Sequence, residues 1–164
     1  MHGKKGNENP KYPPSRGVPA KETFWLPSHD GKYFSAKGGL DKNIIWSVED
    51  VIDFIFPRLY QPMYFEIACG FMKLVMENEK LKKEEISEFL KNKKYSKSTL
   101  ENKIIPKLVR FGLIKRERET AKEGKSRYLI LSDSLTFANY LERIASAWNM
   151  LVSTARQKRK QKSP

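Results

Sequence analysis

The chain has 164 residues, with 32 Lys and Arg against 19 Asp and Glu and a formal charge of +13. That length holds one domain with a real core plus extensions, and so large a basic excess implies a polyanionic partner, most simply nucleic acid. No run approaches the roughly 18 apolar residues of a membrane span, no apolar run follows Lys4 and Lys5 to make a signal peptide, and the lone cysteine, Cys69, excludes an internal disulfide and points to an intracellular chain. The charge is uneven: +4 over residues 1–45, −3 over 46–80, +8 over 81–131 and +4 over 132–164.

Residues 1–23 carry Pro10, Pro13, Pro14 and Pro19 among Gly, Asn and Lys, a composition that forbids regular structure and predicts a partly flexible arm. Its Lys4, Lys5, Lys11 and Arg16 either add phosphate affinity or stay disordered. Residues 24–45 place Phe24, Trp25, Tyr33, Phe34, Ile44 and Ile45 among glycines, which fits a short hairpin or a strap laid on the core. Ser47 and Asp50 have the spacing of a capping box. After them Val48, Val51, Ile52, Ile55, Phe56 and Leu59 keep helical spacing until Pro57 and Pro62 break the helix near its end.

A second helix is expected over about 63–78, with Ile67, Phe71, Leu74 and Val75 on one face. Met63, Met72 and Met76 in it read as core filler that could also line a small effector pocket. A third, short helix over about 83–91 turns Ile86, Phe89 and Leu90 inward, and residues 92–95 form the turn after it. Ser96 is the N-cap of the next helix. Leu100, Ile104, Leu108 and Phe111 make its apolar stripe, and Gly112 its left-handed stop. Pro106 removes a backbone donor and crowds the carbonyl of Asn102, so a bend, or a final turn re-aimed toward the wing, is expected there. Two strands follow, roughly 113–119 and 126–131, joined by a charged turn at Gly124.

The last helix is expected from about Ser134 to Lys158. Its residues Phe137, Leu141, Ile144, Trp148, Leu151 and Ala155 repeat at spacings of four, three, four, three and four. That is a heptad seam, and it predicts a homodimer interface, the alternative being packing against the chain's own Val48–Leu59 segment. The remaining stretch, Arg156 to Lys162, has five basic residues in seven and reads as a tail with non-specific phosphate affinity.

Helix, helix, turn, helix and hairpin is the order of a winged helix-turn-helix: mainly α, with a small β-hairpin wing and here a long C-terminal dimerisation helix. Leu108-x-x-x-Gly112-Leu113-Ile114, the charged wing and Arg127-Tyr128-Leu129-Ile130-Leu131-Ser132 resemble the MarR, ArsR and PadR groups of winged-helix transcription regulators. Ile105-Pro106-Lys107-Leu108-Val109-Arg110 is most similar to archaeal members. The expected organisation is an arm or strap over 1–45, a core over 46–133, a dimerisation helix over 134–158 and a basic tail over 159–164.

In such a fold the helix after the turn enters the major groove. Ser96, Lys97, Ser98, Thr99, Asn102 and Lys103 then face bases or phosphates, because Asn can read adenine, Lys guanine or phosphate, and Ser or Thr either. Lys107 and Arg110, further along, are expected on phosphates. In the wing Arg116, Arg118, Lys122, Lys125 and Arg127 are the expected DNA contacts, with Lys115 beside them and Glu117, Glu119 and Glu123 diluting the charge.

Enzymatic signals are absent. Cys69 sits in an apolar helix as core. His2 and His29 are isolated, so neither a metal nor a cofactor is expected, and there is no phosphate-binding Gly-Lys-Ser/Thr loop. The expected function is a sequence-specific double-stranded DNA-binding transcription regulator, homodimeric, cytoplasmic and nucleoid-associated, with no membrane partner. The alternatives are a protein-interaction module of the transcription or replication machinery, with a basal transcription factor as partner, and a non-specific chromatin-like DNA-coating protein.

Overall fold

A computed structural model describes residues 24–25, 43–119 and 128–162. Helix α1 (Val48–Asp53) starts at the expected capping box: the Asp50 backbone N–H donates to Ser47 Oγ, and the Ser47 N–H donates to Asp50 Oδ2 at 2.9 Å. It is shorter than the apolar spacing predicts. Pro57 opens a turn closed by the Tyr60 and Gln61 N–H groups donating to its carbonyl, which carries Leu59 out into solvent. Ile52, Ile55 and Phe56 stay in the core.

Helix α2 (Pro62–Glu77) has Pro62 in its first turn, where the missing N–H costs nothing, and buries Ile67, Phe71 and Val75, with Leu74 half-buried. Of its three methionines only Met72 is core; Met63 and Met76 are exposed, so the trio lines no common pocket. Helix α3 (Lys83–Lys93) begins with the Lys82 N–H donating to Glu85 and ends at Lys94, which takes the left-handed conformation at φ 55°. The Tyr95 N–H reaches back to the Leu90 carbonyl, and the Tyr95 hydroxyl donates to Glu66 Oε1 at 2.8 Å. The turn between α3 and the next helix is thereby tied to α2.

The next helix is composite: α4 (Lys97–Thr99), a π-helical stretch (Leu100–Ile104) and α5 (Ile105–Phe111). The π stretch, which the sequence reading did not anticipate, directly precedes the turn that holds Pro106. With no N–H at Pro106 the α-helical ladder cannot continue through it, and the Ile105 N–H bonds the Leu100 carbonyl five residues back instead. Leu100, Ile104, Ile105 and Leu108 are buried. Gly112 stops the helix at φ 75°, with its N–H on the Val109 carbonyl and the Leu113 N–H on that of Leu108, both at 3.0 Å.

Strands β1 (Ile114–Glu119) and β2 (Tyr128–Asp133) pair antiparallel, with Ile114 opposite Asp133 and Glu119 opposite Tyr128. Leu81 bonds Leu131 through both backbone groups, so a single residue before α3 adds to the hairpin's edge. Ser132 and Asp133 belong to β2, and α6 (Thr136–Lys162) starts after them. It does not stop near Lys158. No Gly or Pro interrupts Arg156–Lys162, Lys, Arg and Gln are good helix formers, and cations suit a helix C-terminus, so the expected tail is helical through Lys162.

Of residues 1–42, Phe24 and Trp25 are described. The Trp25 N–H donates to the Phe54 carbonyl at 2.7 Å and its ring stacks on Tyr60. The Phe24 ring sits among Phe54, Phe111 and Phe137, with centroids 5.5, 5.9 and 6.0 Å away. The result is a mainly helical body with a two-stranded hairpin and a long C-terminal helix, an arrangement compatible with a wing.

Candidate nucleic-acid interface

The composite helix has two unlike sides. Its apolar stripe packs into the core, and the side chains between the stripe residues stand in water. Ser96 caps it by accepting from the Thr99 N–H. Lys97, Ser98, Asn102, Lys103 and Arg110 are exposed and Thr99 is half-buried. Asn102 Nδ2 donates to Ser98 Oγ at 3.1 Å, one helical turn back, so the two candidate base-reading groups hold each other. Lys97 lies 3.9 Å from Glu101, a loose surface pair of little energetic weight that places one carboxylate on an otherwise basic face.

Lys107 departs from the expectation of a phosphate contact. It is 4% exposed, and its ammonium lies 4.8 Å from the centre of the Phe56 ring. Burial pushes it down from 10.5 to about 8. The signal for this was present in the spacing: 107 is three residues after Ile104 and four before Phe111, so Lys107 belongs to the buried stripe rather than to the polar face.

In the hairpin, Arg116 is exposed, and Lys115 is engaged by Glu117 at 2.7 Å. That contact raises the Lys115 pKa and lowers that of Glu117, each chiefly through the hydrogen bond between them. Arg118 is in β1 by its backbone. Its side chain, and all of Lys122, Gly124, Lys125 and Arg127, lie outside the described residues, as do His2, His29 and the basic arm.

Beside the helix is a cleft of about 350 Å³ that sequence reasoning did not anticipate. Phe56, Tyr64 and Pro106 supply apolar walls; Asn102, Lys103, Lys107 and Arg110 come from the composite helix and Gln61 from the turn before α2. The Oε1 of Gln61 is buried and meets no hydrogen-bond donor among the described residues.

The seam of α6 is laid out as a stripe but is not covered. Phe137 packs on Phe24, whereas Leu141, Ile144, Trp148 and Leu151 are 39% to 65% exposed and Ala155 is half-buried. Packing on Val48–Leu59, the alternative for the seam, is not what these residues do.

Cys69 is buried in α2, and burial pushes its thiol up to about 12, which suits a core position and not a nucleophile. Among the described residues no three or more His, Cys, Asp or Glu side chains cluster to hold a metal ion, and no helix is long and apolar enough to cross a membrane. No protein-family model matches the chain, and no curated protein is significantly similar to it.

Proposed function

We propose that the chain is a winged helix-turn-helix protein that binds double-stranded DNA sequence-specifically, as a homodimer, to regulate transcription. The observation that carries this reading is the two-sided composite helix. Leu100, Ile104 and Leu108 lock it to the core while Lys97, Ser98, Asn102 and Lys103 stand exposed beside a basic hairpin. In this reading Lys97, Lys103 and Arg110 neutralise phosphates, and Asn102 with Ser98 reads base edges. Arg116 and the rest of the wing lie along the backbone.

The dimer is the reading that suits α6. Its 27 residues span about 40 Å, and the exposed Leu141, Ile144, Trp148 and Leu151 recur at the heptad spacing that a second copy of the same helix would cover. Two composite helices joined in this way favour a target with two half-sites.

The test is selection of bound duplexes from a random pool, with the protein's mass in solution measured alongside. An enriched palindrome and a dimer mass are expected. Retention of all sequences alike points instead to a coating protein, and capture of basal transcription factors with no DNA enrichment to an interaction module. On the selected site, Asn102→Ala should cost roughly 1–3 kcal/mol and spare non-specific DNA, whereas Lys103→Ala should weaken both and reduce the salt slope by about one.

A further inference from the structure

Two α6 helices can lie parallel or antiparallel, and the seam residues discriminate between the two. The positions flanking the seam are Ala138, Tyr140, Ala145, Ala147, Val152 and Thr154. None is charged, so the flanking ion pairs that commonly set the direction of a coiled coil are not available. The sizes of the seam residues and the charge at the helix end decide instead. Run parallel and in register, each seam residue meets its own counterpart. Trp148 then meets Trp148 and Ala155 meets Ala155, so one layer is overfilled and another hollow. Lys158, the next position of the seam, meets Lys158, with the exposed Arg156, Arg159 and Lys160 crowding the same end.

Run antiparallel about Ser146, positions equidistant from that residue pair. Phe137 meets Ala155, Leu141 meets Leu151 and Ile144 meets Trp148, so the largest side chains face smaller ones in every layer. Ala145 and Ala147 flank the two-fold axis, where small side chains let two helices approach closely. The cationic end of each helix then lies beside the partner's exposed Asp133 and not against its own copy. Opposed helix dipoles act in the same sense.

We propose that two copies of the chain pair through α6 as an antiparallel two-stranded coil centred on Ser146. This rests on the homodimer reading and deepens it by fixing direction and register. The two helix starts at Thr136 then stand about 30 Å apart along the coil, with one body at each end. That separation is close to the roughly 34 Å of one DNA turn, so half-sites one turn apart suit the pair. The last consequence needs DNA binding; the antiparallel pairing does not.

The experiment is thiol cross-linking of the whole protein. Ala147→Cys and Ala155→Cys are introduced separately beside Cys69→Ala, and each variant is treated with a short bifunctional thiol reagent. Denaturing gels read the covalent dimer, sedimentation the mass of the untreated protein, and thermal melting its fold. If Cys69→Ala does not fold, the buried Cys69 is kept and the unmodified protein gives the background. In the antiparallel pair the two Ala147 positions sit beside the axis, whereas the two Ala155 positions lie about 27 Å apart. Ala147→Cys should therefore link at least about tenfold more than Ala155→Cys in a protein of dimer mass. Linking of Ala155→Cys to the same extent or more overturns the proposal in favour of a parallel pair. A dimer mass with neither variant linked also overturns it, because the copies then meet through another surface and the homodimer reading stands without α6. A mass above two copies overturns the two-stranded coil. A monomer mass sinks the homodimer reading and this pairing with it.

Discussion

The composite helix over 97–111 and α6 carry the same kind of pattern, an apolar residue every three or four positions, and meet opposite fates. In the first, Leu100, Ile104 and Leu108 are fully buried within the chain's own core. In the second, Leu141, Ile144, Trp148 and Leu151 face outward. The composite helix is held at both ends: Ser96 caps its start, and the Gly112 turn at its finish also receives the Phe137 N–H from α6. Among the described residues, helix α6 is anchored near its start, by that bond and by Phe137 against Phe24. Periodicity thus marks an apolar stripe on a helix, and the geometry of its anchorage decides whether the helix's own domain covers that stripe.

Truncating one residue from each stripe tests this contrast most severely. Leu108→Ala should lower unfolding stability by about 2–5 kcal/mol, since it opens a cavity at a site with no exposure. Leu151→Ala should leave the stability of the monomer nearly unchanged and, under the proposed homodimer, shift the protein from dimer toward monomer. Denaturant melts at low concentration and sedimentation at high concentration read the two effects apart. A large loss of monomer stability in Leu151→Ala would abolish the distinction.

Gly112→Ala acts where the two helices meet. A Cβ there would lie 2.8 Å from Thr136 Cβ, and the left-handed backbone adds about 1–2 kcal/mol for a residue that is not glycine. A loss of about 2 kcal/mol or more is expected in chemical melts, and an unchanged midpoint would mean that the start of α6 is free to move away.

Lys107 gives a pH signature. Its folded pKa of about 8 lies below the ordinary 10.5, so between those values the unfolded chain binds more protons and this group's contribution to stability rises with pH. Below about pH 8 the cost of the buried charge is present in full. Lys107→Met should therefore melt higher than the parent at pH 7, and the gap should narrow by pH 10. Parallel melting curves for the two proteins across that range would place the ammonium in solvent, on the exposed face with Lys103.

The smallest effect is expected at the other helix stop. Lys94 holds φ 55° without the advantage of glycine, so Lys94→Gly should stabilise the fold by up to about 1 kcal/mol, measured as a rise in Tm. A fall in Tm would show that the Lys94 side chain contributes more than its strained backbone costs.

Features governed by neighbours in sequence were legible in advance. The Ser47–Asp50 box, the Ser96 cap and the Gly112 stop depend on a few consecutive residues, and each stands where the sequence places it, while the second strand of the hairpin runs two residues past its expected end, to Asp133. Leu59 was misread because a turn after Pro57 overrides the helical spacing that its position suggested. Lys107 was misread because charge was given more weight than spacing. The exposed candidates Lys97, Ser98, Asn102 and Lys103 were legible, as residues left over once the stripe is removed. The cleft was not, since it joins Phe56, Gln61 and Tyr64 to a helix some forty residues further on.

By itself the sequence determined the caps at Ser47 and Ser96, the helix stop at Gly112, which residues are apolar on each helix, and that a strong positive charge gathers over 81–131. These follow from capping, backbone sterics and composition, which act over one or two turns of chain. Only the tertiary structure decided that a π stretch precedes Pro106, that a lysine lies against Phe56, that Phe24 packs on the core and Trp25 on Tyr60, and that Leu141, Ile144, Trp148 and Leu151 of α6 stand exposed. Each of these depends on which surfaces meet across long sequence separations, and burial is a property of the pair that meets, not of either residue alone.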